Sequence, residues 1–140
     1  MPLVRISLRR DVPQGVRRGI SDAVQQAMVE TINVPRDDRF HIFSEHDADS
    51  LIYDPGYLGI RRDHGFLVIQ ITLAHGRGAV QKKALYRRIA DLVSELGIRQ
   101  ENIFVSLVEV AKENWSFGQG RAQYADAPPP HLAGAAAAAD

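Results

Sequence analysis

The chain has 140 residues, the size of one ordinary domain and too short for a second large module. Its apolar fraction of 45% suits a globular core, and 17 Lys+Arg balance 17 Asp+Glu, so the formal net charge of zero argues against a nucleic-acid or anionic-membrane partner held by charge. The absence of cysteine excludes a disulfide framework, a thiolate nucleophile and a cysteine metal site.

Leu3 to Leu8 alternates apolar side chains with Arg5 and Ser7, the pattern of a strand with one buried face. Asp11-Val12-Pro13 predicts a helix cap and a first-turn proline, and Val16, Ile20, Ala23, Val24, Ala27 and Met28 recur at helical spacing. Asn33 ahead of Val34-Pro35 ends that helix, because Asn tolerates the left-handed conformation and proline disfavours helix in the residue before it. A second strand is predicted from Phe40 to Ser44, followed by a long connection from Ala48 to Gly65 punctuated by Asp54-Pro55-Gly56 and Gly59. Phe66 to Leu73, nearly continuous in apolar and β-branched residues, reads as a third strand. Leu85, Ile89, Leu92, Val93 and Leu96 then form one helical stripe, Gly97 stands just past it, and Ile103 to Val110 makes a fourth strand. No apolar run approaches the ~20 residues of a membrane span, and the first residues lack the charged-then-apolar order of a signal peptide, so a soluble cytoplasmic protein is expected.

The order is strand, helix, strand, twice over. The fold class is therefore α/β (α+β): a tandem β-α-β repeat, with units at about 2–47 and 65–110, giving a four-stranded sheet with two helices on one face. The domain is expected to span 1–124, with a Pro/Ala-rich tail over 125–140 that adds little core. Strands this apolar are usually covered on both sides, so burial of the helix-free face by other subunits is expected, a closed trimer being one way to supply it.

Two positions carry the candidate chemistry. Pro2 follows Met1 directly, and removal of that Met would expose a secondary amine able to act as base or acid. Chain-terminal amines titrate near ~7.7–8.0, and a nearby cation or a dry pocket lowers the value toward the range of a general base. Arg77 lies between Gly76 and Gly78, at the junction of the most apolar strand and the next helix, where a planar guanidinium can take a carboxylate through two hydrogen bonds. The plain alternatives are a start residue without chemistry and a solvated loop arginine.

The start Pro2-Leu-Val-Arg-Ile, the segment Val34-Pro-Arg-Asp-Asp38-Arg-Phe40, the Gly76-Arg77 turn, Gln81-Lys82 and the run Asn114-Trp-Ser-Phe-Gly-Gln-Gly120 together resemble the tautomerase superfamily, and within it the malonate semialdehyde decarboxylase branch. The resemblance spans about residues 2–124 and implies a homotrimer in which the N-terminal proline is catalytic, with no cofactor. By position it makes Pro2 the catalytic amine, Asp38 the carboxylate that orients or activates water, and Arg77 the group that binds the substrate carboxylate and lowers the proline pKa. Trp115, Phe117 and Tyr124 would form an apolar wall that keeps the pocket dry. Decarboxylases of this branch carry a second arginine two residues before the one matching Arg77; here that place is His75, which implies a weaker or differently aimed clamp on the substrate carboxylate. The implied substrate is a small oxo or unsaturated carboxylic acid. Keto–enol tautomerisation by a neutral Pro2, decarboxylation assisted by its ammonium, addition of Asp38-activated water, and a Schiff base on the proline for aldehyde substrates all remain open.

Bland readings stand beside these. Asp38, next to Arg36, Asp37 and Arg39, also reads as a solvated turn with weak ion pairs. Trp115 and Phe117 fall on one side of an extended segment, which suits core or interface as well as substrate. His41, His46, Asp47 and Asp49 match no tight ligand spacing, so no metal is expected. Tyr53, Tyr57 and Arg61-Arg62 read as a polar loop surface or a site entrance. The rival to an enzyme is a catalytically silent trimeric binding module on the same scaffold.

Overall fold

The computed structural model describes residues 1–129. The elements in chain order are β1 (Leu3–Arg9), α1 (Gln14–Ile32), β2 (His41–His46), β3 (Leu67–Ala74), α2 (Ala79–Ser94), β4 (Ile103–Val110) and a one-turn helix α3 (Gln123–Asp126). The strands form a mixed sheet in the order β2-β1-β3-β4. Within each β-α-β unit the strands run parallel, and the two units meet antiparallel through β1 and β3. The architecture is the one the repeat predicts.

The period-two pattern of the strands selects the core. Val4, Ile6 and Leu8 point to the helices, as do Leu67, Ile69, Ile71 and Leu73, and the register pairs Ile6 with Ile69 and Val4 with Ile71 across the unit junction. Ile20, Val24, Ala27 and Met28 of α1 and Leu85, Ile89 and Val93 of α2 close over them, so both units share one core. Each such aliphatic side chain contributes roughly 1.5–3 kcal/mol by leaving water. The opposite face has no helix, and there Ile42, Phe104 and Val108 remain 41%, 46% and 39% exposed.

Several boundaries differ from expectation for local reasons. Asp11 does not cap α1: Pro13 occupies the N-cap position without a side-chain bond, since its fixed φ and missing N–H already suit a helix start. Asn33 ends the helix as predicted, in the left-handed conformation at φ 60°. Phe40 lies one residue before β2 and is half exposed. Leu96 lies beyond α2 and covers Gly19 of α1, where an added Cβ would come within 2.9 Å of its Cδ2. Gly97 follows at φ +90°, where a side chain would be strained. The Pro/Ala-rich tail lies outside the described residues from 130 onward.

A polar clasp closes the second unit. The Asn102 side chain, 3% exposed, accepts from the Asp63 N–H at 3.0 Å and donates to the Asp63 carboxylate at 2.8 Å. Together with the Gly65 N–H and Arg99, it pushes the Asp63 pKa down to about 2, the backbone bond being the largest cause.

Candidate active site

The start of β1 and the loop after α1 bring an amine and a carboxylate together. Pro2 is buried, and the ammonium of Met1 ahead of it lies 3.5 Å from Asp38 Oδ2 and donates to the Tyr124 hydroxyl at 2.9 Å. In this chain the Pro2 nitrogen is an amide; removal of Met1 moves the free amine one residue, about 3.8 Å between consecutive Cα atoms. The Met1 ammonium therefore stands in for the secondary amine that processing would create.

Burial pulls that amine's pKa below the ordinary value and is the largest influence on it. The charge of Asp38 and the hydrogen bond to it pull the other way, and the cation of Arg77 lowers the value further. Tyr124 is pushed up to about 12, first by burial and then by the charge of Asp38, with Arg77 opposing, so its hydroxyl stays protonated at neutral pH. Of the Asp38 oxygens, Oδ2 faces the amine and Oδ1 is buried with no protein partner.

Arg77 joins the site in an unexpected posture. Its Nη2 donates to the Ile32 carbonyl at 2.9 Å and its Nη1 reaches the Ala74 carbonyl at 3.4 Å. One guanidinium thereby ties the C-terminal end of α1 to the end of β3, where free helix carbonyls carry partial negative charge. Burial holds the guanidinium pKa below its usual value. Gln81 supports the turn by accepting from the Gly78 N–H at 3.4 Å.

The segment after β4 folds back over this end of the sheet. Trp115 and Phe117 stack at 5.4 Å, Phe117 meets Tyr124 edge-on at 4.5 Å, and the three pack with Met1 on the buried Ala74. Gln123 locks the segment, accepting from the Phe117 N–H at 3.0 Å and donating to the Gly118 carbonyl at 2.9 Å. Gln123 carries no distinguishing signal in the sequence, being one of two glutamines with Gln119 in a Gly-containing run.

Pro2, Asp38, Arg77, Phe117 and Tyr124 thus converge, with Trp115 on the outer side of the aromatic stack. Its indole Nε1 is buried and has no protein partner. His75 stands apart: its backbone N–H bonds to Val110, and its side chain is exposed, with no hydrogen-bond partner among the described residues. His41 and His46 sit on opposite faces of β2, His41 bonded to Ser21 and His46 to Ser50. Tyr53 packs on Phe66, away from the amine, with Tyr57 and Arg62 lining a separate cleft of about 340 Å³.

A family profile described as "Tautomerase enzyme" matches residues 38–118, and a second profile with the same description matches residues 2–61. The chain is 43% identical to a probable tautomerase of Bacillus subtilis strain 168, YusQ, over 88% of this chain and 98% of that protein. The chain belongs to the tautomerase family. Among solved structures, this tautomerase-family chain is similar to the FG41 malonate semialdehyde decarboxylase inhibited by 3-bromopropiolate, with 33% identity, a TM-score of 0.86, and coverage of 91% of this chain and 98% of that one. It also shares its fold with a fused 4-OT solved as a symmetric trimer, at 21% identity and a TM-score of 0.74, over 89% of this chain and 98% of that one. No helix among the described residues is long and apolar enough to cross a membrane.

Proposed function

We propose that this tautomerase-family enzyme acts through the amine of Pro2, freed by removal of Met1, on small oxo or unsaturated carboxylic acids. The observation that carries the reading is the Met1 amine, one residue ahead of the buried Pro2, placed 3.5 Å from the Asp38 carboxylate and 2.9 Å from the Tyr124 hydroxyl, within the field of Arg77. Loss of Met1 also vacates apolar space beside Phe117 and Tyr124, against which its side chain packs. A carboxylate substrate would be held by the N–H groups of Arg77 not engaged with Ile32 and Ala74, with Trp115 and Phe117 keeping water out and His75 giving a looser second contact.

A neutral Pro2 nitrogen removes the proton from the carbon beside the keto group; the C–H electrons become the enolate double bond, and the carbonyl pair moves onto oxygen. Protonation of that oxygen gives the enol, and the reverse path returns the proton to carbon. The lowered amine pKa supports this base role. The likeness to a malonate semialdehyde decarboxylase supports a second reading, in which a protonated Pro2 polarises the 3-oxo group of a β-keto acid, the C–C bonding pair becomes the enolate double bond as carbon dioxide leaves, and a proton then adds at C2. The bromopropiolate bound by that relative supports a third, addition of Asp38-activated water across an unsaturated acid. The half-exposed apolar face of the sheet supports a homotrimer, to be checked as a threefold mass in light scattering.

Intact mass first establishes that Met1 is absent. Pro2→Ala is then expected to lower turnover of phenylenolpyruvate, 2-hydroxymuconate or a β-keto acid by about 10²–10⁴-fold, the usual weight of a general acid–base group. Unchanged turnover in that variant, or none of these substrates consumed by processed wild type, overturns the enzyme reading and leaves the silent trimeric binding module.

A further inference from the structure

We infer that Gln25 is a positioning residue for this site: from the buried side of α1 it fixes the turn that carries Asp38, and so the distance between that carboxylate and the chain-terminal amine. Gln25 is 3% exposed in the middle of the helix. Its Nε2 donates to the carbonyls of both Pro35 (3.3 Å) and Asp38 (3.0 Å). Those are the first and last residues of a turn closed by the Asp38 N–H on the Pro35 carbonyl at 3.1 Å. One amide therefore grips both ends of the turn.

Asp38 depends on that grip because its carboxylate has no protein partner besides the amine. Oδ2 meets the amine and Oδ1 has no protein partner, so the backbone alone decides where the carboxylate stands. The grip extends along the helix. Ser21, one turn before Gln25 and also buried, bonds through Oγ to His41 Nδ1 at 2.7 Å, while Asp22 pairs with Arg39 at 2.5 Å. A polar row of three side chains on α1 thus fastens residues 35 to 41 at four points. The row is not a packing convenience, since the Gln25 Oε1 is buried without a partner and a leucine would avoid that loss.

The inference rests on the proposed pairing of the amine with Asp38, and the test separates the two. The chain-terminal amine is titrated by ¹⁵N NMR, which needs no substrate, in wild type, Gln25→Leu, Asp38→Asn and the double variant. The charged and titratable groups facing that amine are Asp38, Arg77 and Tyr124, and only Asp38 raises its pKa. Asp38→Asn is expected to lower the amine pKa by about one unit, the scale of an opposite charge at this range. Gln25→Leu should lower it by a substantial part of that amount, and the double variant no further than Asp38→Asn alone, because Gln25 acts only through Asp38. A Gln that merely stabilised the fold would lower the melting temperature and leave the titration unmoved. An amine that titrates as wild type in Gln25→Leu while Asp38→Asn shifts it overturns the inference and keeps the pairing. No shift in Asp38→Asn overturns the pairing, and the inference with it. If Gln25→Leu fails to fold, Gln25→Met, equally long and equally without a donor, is read the same way.

Discussion

The two β-α-β units share a topology and a core, yet they contribute differently. In the first, the ends carry the groups of the proposed chemistry: the amine precedes β1, and the loop between α1 and β2 carries Asp38 under the polar row of Ser21, Asp22 and Gln25. In the second, the corresponding loop leads through the Asn102–Asp63 clasp, and the contribution to the site is Arg77 at the end of β3. The same repeated frame can therefore place a reactive group at one helix exit and a purely structural knot at the other. The decisive variable is whether the buried polar side chains hold a turn that bears a carboxylate facing an amine.

Arg77 spans both units, so removing it should have the largest effect. Arg77→Ala leaves the Ile32 and Ala74 carbonyls without their charged donor and is expected to destabilise the fold by about 1.5–3 kcal/mol. It should also raise KM steeply for carboxylate substrates, as loss of ground-state binding does. Urea midpoints and initial rates measure the two separately; an unchanged midpoint would mean that the guanidinium does not join the units.

Asn102→Ala probes the structural knot. It removes the two hydrogen bonds that the buried Asn102 amide makes to Asp63, leaving those from Gly65 and Arg99, and should cost about 1–2 kcal/mol with turnover retained. A loss of turnover comparable to that of Asp38→Asn would erase the contrast between the two exits.

The effect that vanishes at neutral pH is a pH dependence in the first unit. His41 is pushed down to about 4, chiefly by burial and next by the charge of Arg39. An unfolded histidine titrates near 6.5, so between these values the unfolded chain binds a proton that the native state refuses. Its stability cost is absent above pH 6.5 and grows as pH falls toward 4. His41→Asn should flatten that slope in urea midpoints taken across the interval; an equally steep slope would assign the acid sensitivity elsewhere.

The architecture was legible because it rests on periodicity. The alternation in Leu3–Leu8 and the apolar run Phe66–Leu73 marked the central strands, and Ile103–Val110 coincides with β4. Asn33 and Gly97 announced two helix ends through their tolerance of positive φ. Local capping rules were weaker, since Asp11 gave way to Pro13. The site residues could be named from a resemblance, but their contacts could not. That Arg77 reaches Ile32, 45 residues earlier, depends on packing between units, to which no local pattern refers. Gln25 lies beside Val24 on α1 and reads as the polar flank of an apolar stripe; only the return of the chain at Pro35 and Asp38 gives its amide a task.

Pro2 is buried, and the amine ahead of it is partly buried between Asp38 and Tyr124. An affinity tag or leftover cleavage residue at that end would have to emerge past the aromatic stack, and it would convert the nitrogen of the proposed chemistry into an inert amide. On the proposed mechanism, then, trimming by an aminopeptidase is the event that arms the enzyme. Recombinant material should carry any handle at its opposite terminus.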